Sequence, residues 1–450
     1  MDFDALLAFP PLPSLTSRRF LRTLNAACAA LDPLQTPPRS RPILAQTTAT
    51  DTISVNESRP PIHRVASVDI FRGLNVALMI FVNNLAEVSG LPWWTYHGGN
   101  VDGMTYVDMV FPGFLFLMGM SIPLALDARL RRGENKFHLW LHVFWRSLSL
   151  LALGLFIANA LNPLARPLYL SHTGWTLLGL AAIASAWLRF PGEKQHRIFY
   201  RTLRTVGLAL LAALFLLFRR ETPQGNTAGL DFSYWEILGL LGWAYLLVGT
   251  LYLLFAKRHK TLLTAFVVLV FLNVASTLDW LRSLQTIPLY WNPFEAGLSS
   301  LTLAGVLASL IILQDSYATT FEQKMRWILA AVVILCVAGF VLRPLGISKN
   351  HDTPTWCLYC TAVNLLIALF LLWIADQKRW TAWAKLVTPA GENPLLPYML
   401  AYVLFLFPQL SWLTPIGTQG SWGVLKSALL AAFVLAVSSP LIRRGLLLRV

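Results

Sequence analysis

From about Val68 to Val450 the chain repeats one pattern, an apolar run of about 20 residues followed by a short polar stretch. A helix of that length rises about 30 Å, the thickness of a bilayer's hydrocarbon core. Lipid offers backbone groups no hydrogen bonds, so a spanning segment must be a helix or part of a closed barrel. These runs lack the period-two alternation of barrel strands. The pattern therefore predicts an all-α, polytopic transmembrane helical bundle. About twelve spans are expected, near residues 69–89, 106–127, 138–160, 172–188, 203–218, 234–255, 261–281, 298–315, 326–343, 355–375, 394–412 and 423–442.

Charged residues are only 13% of the chain and hydrophobic ones 56%, too few charges to cover a soluble surface of this size. The net charge of +14 does not point to nucleic acid, because the basic residues fall in short clusters between apolar runs. One set of alternate loops holds most of them: Arg129 to Lys136, Arg189 to Arg204, Lys257 to Lys260, Lys324 and Arg326, Lys378 to Lys385, and Arg443 to Arg449. The positive-inside rule then places both termini in the cytoplasm and requires an even number of crossings. Residues 1–62 are rich in Pro, Ser, Thr and Arg and contain no apolar span. They are expected to form a disordered cytosolic tail ahead of a membrane domain over 63–450. The four cysteines show no metal-ligand or paired-disulfide layout, so no metal is expected. Cys357 and Cys360 lie in an apolar stretch and read as packing residues.

Ionisable groups inside spans cost several kcal/mol unless paired or hydrated, which makes them functional candidates. Asp69 and Arg72 share a face of the first span, Arg146 lies well inside the third, and Glu236 and Asp279 lie near outer ends. The densest polar cluster follows the first span: Asn83, Asn84, Glu87, then Trp93-Trp94-Thr95-Tyr96-His97, and Thr105 to Asp108 at the start of the second. An imidazole ordinarily titrates near neutrality, so His97 suits proton transfer, while Asn83 suits orienting it or meeting an oxyanion. Thr105 or Asp108 can cap the second helix. Two further polar clusters run over Gly346–Trp356, which holds Lys349, and over Pro389–Pro394, which holds Asn393. Trp94, Tyr290 and Trp291 offer sugar-stacking faces, or serve as ordinary interfacial aromatics.

The run Ser67-Val68-Asp69-Ile70-Phe71-Arg72-Gly73, with Phe81-Val82-Asn83, His97 and Gly103-Met104-Thr105-Tyr106-Val107-Asp108-Met109-Val110-Phe111-Pro112, resembles the heparan-alpha-glucosaminide N-acetyltransferase family and its bacterial membrane relatives. Ile347-Ser348-Lys349-Asn350 and Gly391-Glu392-Asn393-Pro394 resemble it too. The resemblance implies a bacterial cytoplasmic-membrane acetyltransferase that takes acetyl-CoA from inside and acetylates a sugar or glycan outside. It implies catalytic roles for His97 and Asn83, with Asp108 taken beside them. Coenzyme A is polyanionic, so Arg72 and Arg146 near the inner mouth suit its phosphates, and Asp69 and Asn393 are expected at the donor site with them. Trp94, Tyr290, Trp291 and Lys349 would meet the acceptor. Lipid and a second copy in a homodimer are the implied partners, with no nucleic acid and no metal. The interval from His97 to Asp108 is one residue longer than the family's, and Val101-Asp102 stand where the family has Trp-Asn. Twelve spans with buried charges also suit a transporter or flippase, or a non-catalytic scaffold.

Overall fold

The computed structural model describes residues 65–98, 102–161, 170–193, 195–222, 225–233, 235–256, 258–281, 296–314, 318–406 and 419–450. The expected tail, Tyr290 and Trp291 lie outside the described residues.

Helices dominate the described chain. They are α1 (Ala66–Leu85), α2 (Val110–Leu130), α3 (Lys136–Ala160), α4 (His172–Trp187), α5 (Arg197–Leu217), α6 (Glu236–Phe255) and α7 (His259–Thr277). There follow α8 (Gly297–Ile312), α9 (Phe321–Val341), α10 (Pro354–Leu371), α11 (Thr388–Glu392), α12 (Leu395–Leu406) and α13 (Gly420–Arg443). Each expected span overlaps one of them, and α11 is a short turn leading into α12. Among the described residues nine are long and apolar enough to cross a bilayer, whereas α4, α8 and α12 have 16, 16 and 12 residues. The chain is an integral membrane protein.

Local chemistry sets several helix starts. Asn135 accepts from the Phe137 N–H ahead of α3, and Ser171 accepts from the Gly174 N–H ahead of α4. Thr320 and Gln323 form a capping box on α9, and Pro354 opens α10, where its missing N–H costs nothing.

Packing follows the rule for helices in lipid, where small residues let backbones approach closely. The α2–α8 contact uses Gly119 and Gly305, and a Cβ at either would overlap the facing carbonyl of Thr302 or Phe116. Gly73 and Gly391 likewise bring α1 onto α11, where a Cβ at either would overlap the Val387 or Asp69 carbonyl. By contrast, α5, α7 and α9 bury little of their length and expose Phe199, Val267, Phe271, Val333, Ile334 and Phe340, as lipid-facing helices do.

The only strands among the described residues are two-residue pairs. Of these, β1 (Leu188–Arg189) pairs antiparallel with β4 (Leu447–Leu448), joining the α4–α5 loop to the segment after α13. Strands β2 (Arg220–Glu221) and β3 (Thr227–Ala228) form a second pair within one loop.

Candidate active site

The first cluster is built at the start of α2. A 3-10 turn, Tyr106–Met109, precedes the helix, and both capping residues named from sequence are used. Asp108 accepts from the Thr105 N–H at 3.0 Å, while Thr105 Oγ1 accepts from the Val107 N–H at 3.3 Å. Asp108 is only 2% exposed, and its Oδ2 also accepts from the Gly98 N–H at 3.0 Å. Its other oxygen, Oδ1, lies 2.8 Å from Nδ1 of His97, whose side chain is 39% exposed. A carboxylate only accepts, so Nδ1 must carry the proton. That leaves the Nε2 lone pair of neutral His97 unused by this contact, the arrangement in which an imidazole serves as base or nucleophile.

Lys349 arrives from the α9–α10 loop, its Nζ 3.3 Å from His97 Nδ1. Burial pushes its pKa below the ordinary lysine value, against the opposing pull of Asp108 and Asp352. Asp102 fixes that loop in place. It accepts from the Ile347 N–H and from Arg343, each at 2.7 Å, and the Gly103 N–H donates to the Ile347 carbonyl at 3.0 Å. The Ile347 N–H first, and then Arg343, hold the Asp102 carboxyl below the usual carboxylate range. The His97 loop is tied down separately, because Tyr96 donates to the Val88 carbonyl at 2.5 Å and Thr105 Oγ1 donates to the Tyr96 carbonyl at 2.7 Å. Asn83 is half-buried near the end of α1. The ring's carboxamide or carboxylate partner is Asp108, not Asn83. Trp94 is exposed, 6.3 Å from the Tyr106 ring.

The second feature is a cavity of about 650 Å³ toward the other end of the bundle. Arg72, Arg146 and Asn393, on three different helices or their connections, all line it, together with His142, Tyr245 and Tyr398. Four arginines and two glutamates in its wall make it net positive. Arg72 is already committed: it donates to Asp69 and to the Gly391 carbonyl at 3.0 and 2.8 Å, and to Ser121 at 3.0 Å. It therefore staples α1, α2 and α11 together. Asn393 is committed as well, donating to the Leu448 carbonyl and accepting from the Leu448 N–H. Arg146 differs. Its guanidinium sits 4.9 Å from the centre of the Tyr245 ring, and its buried Nε has no hydrogen-bond partner among the described residues.

Glu236 adjoins this cavity through Ile237 and Leu238. It is 2% exposed and adopts φ +55°, and its carboxyl accepts from Tyr398 at 2.8 Å, from Tyr402 and from the Leu238 N–H. Sequence gave its place near the end of a span but no sign of the two phenols, which lie more than 160 residues away. The cavity wall stops at Phe114 on α2 and does not include His97. Phe114 lies six residues beyond Asp108, a rise of roughly 10 Å. Among the described residues no three His, Cys, Asp or Glu side chains gather as metal ligands would. Cys357 and Cys360 are buried free thiols on α10.

Comparison with known proteins places these features in a family. Over 109 residues the chain is 41% identical to human heparan-alpha-glucosaminide N-acetyltransferase, and over 110 residues 39% identical to the mouse protein. Each match covers 24% of this chain and 16% of the relative, so only a small part of those proteins' length is represented. A family described as Domain of unknown function (DUF5009) matches residues 64–293, from α1 through α7, more than half of the 450 residues. The chain belongs to that DUF5009 family and is related to the heparan-alpha-glucosaminide N-acetyltransferases.

Proposed function

We propose that the protein is a transmembrane acetyltransferase, taking an acetyl group from acetyl-CoA at the inner face and passing it to an amino sugar or glycan at the outer face. The observation that carries this reading is the pair of sites on α2. A buried carboxylate orients an imidazole at one end of that helix, and a net-positive cavity with an unmatched guanidinium lies along the rest of it.

The topology proposed from loop charge is twelve crossings with both termini inside. Contacts between loops support it. Asp102 with Arg343, Asn159 with Asp231, and Ser89 with Gln419 join outer loops or the outer end of a span. Ser67 with Asp376, Tyr252 with Asp127, and β1 with β4 join segments expected inside. The cavity's ribbon end then faces the cytosol, where a polyanionic coenzyme is present, and His97 faces outward.

In the reaction a nitrogen or oxygen of the acceptor bonds to the acetyl carbon as the thioester C–S bond breaks. The acceptor's proton passes to Nε2 of His97, and the sulfur leaves to be protonated as the free thiol. Asp108 holds the tautomer and balances the imidazolium as it forms. A second route has neutral Nε2 accept the acetyl group first, releasing the thiolate, and then deliver it to the acceptor. Arg146 pairs with a phosphate of the donor, while Arg72 and Asn393 shape the wall beside it. Val110 and Phe111, which separate Asp108's turn from the cavity wall at Phe114 along the chain, are buried in the core, so transfer requires a passage to open past them.

The test uses purified protein in liposomes with labelled acetyl-CoA inside and glucosamine outside. Label reaching the outer amine, with thiol released inside, supports the reading. An intact solute crossing without acetyl transfer would establish a transporter instead.

A further inference from the structure

The cavity opens beside the β1–β4 ribbon, whose register puts two arginines on one face. Arg189 pairs with Leu447, Leu188 pairs with Leu448, and the Arg449 N–H donates to the Trp187 carbonyl at 3.0 Å. Cross-strand partners in an antiparallel pair share a face, and residues two apart on one strand share it again. Arg189, Leu447 and Arg449 therefore lie on one side, and Leu188 and Leu448 lie on the other; Trp187, the last residue of α4, is buried next to the ribbon. Trp187, Arg189 and Arg449 all line the cavity.

The two arginines differ in how they are held. Glu193 stands 3.6 Å from Arg189 and also accepts from Arg204. Burial pushes the Glu193 carboxyl up, but the Arg204 hydrogen bond, the Phe190 N–H and the two guanidinium charges outweigh it and hold it charged. Arg189 is thus kept in one place. Arg449 is exposed, and no carboxylate pairs with it among the described residues. The Trp187 indole N–H is buried without a hydrogen-bond acceptor among the described residues, and the residue is only 4% exposed. Asn393 anchors the ribbon with its one carboxamide, the N–H donating to the Leu448 carbonyl and the oxygen accepting from the Leu448 N–H.

We infer that this ribbon face is the nucleotide end of the donor site: Arg189 and Arg449 grip the phosphates of an adenosine 3′-phosphate diphosphate group, with Trp187 in the wall beside them. Guanidinium forks match phosphate oxygens in geometry as well as charge, and two on neighbouring strands are diagonal neighbours, close enough to share one phosphate group. The inference rests on the acyl-CoA reading but extends it, because it divides the donor into a nucleotide held at the ribbon and a thioester arm held along α2.

Two measurements test it. The first titrates adenosine 3′,5′-bisphosphate, a probe with no acyl group, into the full chain in phosphatidylcholine nanodiscs. Saturable binding is expected, weakening with salt and falling about tenfold in Arg449→Gln. Arg449 is exposed and makes no ion pair, so this variant keeps the fold, and Arg189→Gln provides the second arm. Binding unchanged in both variants would overturn the inference. So would a wild-type site blocked by adding phosphatidylglycerol, since that assigns the arginines to an anionic headgroup. The second measurement compares acetyl-CoA with acetyl-S-pantetheine, which lacks the nucleotide. Arg449→Gln should raise the KM for acetyl-CoA about tenfold, leave kcat within about twofold, and leave the pantetheine donor's KM unchanged. An equal rise for both donors would overturn it. The titration needs no turnover, so absence of acetyl transfer would count against the transferase reading and leave the nucleotide site decided separately.

Discussion

Arg343 donates to Asp102 at 2.7 Å across two loops that are 241 residues apart in the chain, and through them Lys349 is brought to His97. The pair works alongside the Ile347 N–H, so Asp102 clasps the end of α9 and the loop that follows it together. An exposed ion pair adds little to global stability. Its consequence is positional, because Lys349 lies only two residues beyond Ile347.

Loss of that clasp should therefore show in turnover before it shows in melting. Arg343→Gln and Asp102→Asn are each expected to lower kcat about three- to tenfold, with Tm within about 2 °C of the native protein. The carboxyl of Asp102 is held below its ordinary range, so its contribution is complete above about pH 4 and is lost only as pH falls through that depressed value. Between pH 5 and 9 the variants' rate profiles should keep the native shape and lose height alone. A shifted limb in that range would show that the clasp titrates with the chemistry and is not simply a brace.

His97 and Asp108 can be separated because only one of them has a structural task. Removing the imidazole in His97→Ala leaves the α2 cap intact, so turnover should drop about 10²- to 10⁴-fold with little change in Tm. Asp108→Asn should lose activity on a similar scale by failing to hold the Nδ1–H tautomer. It should also destabilise by about 1 kcal/mol, because the Thr105 N–H and the start of α2 lose their charged acceptor. Activity assays paired with thermal melts of the two variants decide this. Equal melting losses in both would mean that His97 is holding the loop together.

How much of this was legible in the chain depends on how local each cause is. Runs of 20 apolar residues announced α1, α3, α6 and α10, and the Thr105/Asp108 spacing announced the cap on α2. The bond from Asp108 to His97 was harder to read, since it depends on how an eleven-residue loop folds back. Arg72 and Asn393 show the limit most clearly. A half-buried guanidinium and a buried carboxamide look alike in sequence whether they await a ligand or are already satisfied. Their partners here are the backbone of Gly391, 319 residues away, and that of Leu448, 55 residues away. The Glu236 pocket was illegible for the same reason, because its two tyrosines come from α12.

Lys349 carries a pH signature opposite in sense to that of a paired carboxylate. Burial depresses its pKa, so between that value and the ordinary lysine value of about 10.4 the unfolded chain binds more protons than the folded one. Stability should then rise with pH across that window, and at lower pH the charged ammonium is a constant cost. In Lys349→Met this rise should vanish, and the variant should melt no lower than the native protein at pH 7 while turning over more slowly. Melting curves from pH 7 to 10.5 test it. A native protein whose Tm does not climb relative to the variant would mean that the ammonium is matched by its acidic neighbours.

Arg146 offers the sharpest separation of binding from stability. A guanidinium inside a span with an unmatched Nε costs free energy, and the Tyr245 ring face offsets only part of that, by about 0.5–2 kcal/mol. If its task is to meet a donor phosphate, Arg146→Met should raise the KM for acetyl-CoA about ten- to a hundredfold, since charge-assisted hydrogen bonds to phosphate contribute about 1.5–3 kcal/mol. The same variant should hold or raise Tm in the absence of donor, because a buried charge is exchanged for an apolar chain of similar length. Adding acetyl-CoA should then raise the Tm of the native protein more than that of the variant, as ligand linkage requires. A variant that melts well below the native protein with its KM unchanged would make Arg146 a structural residue and remove it from the donor site.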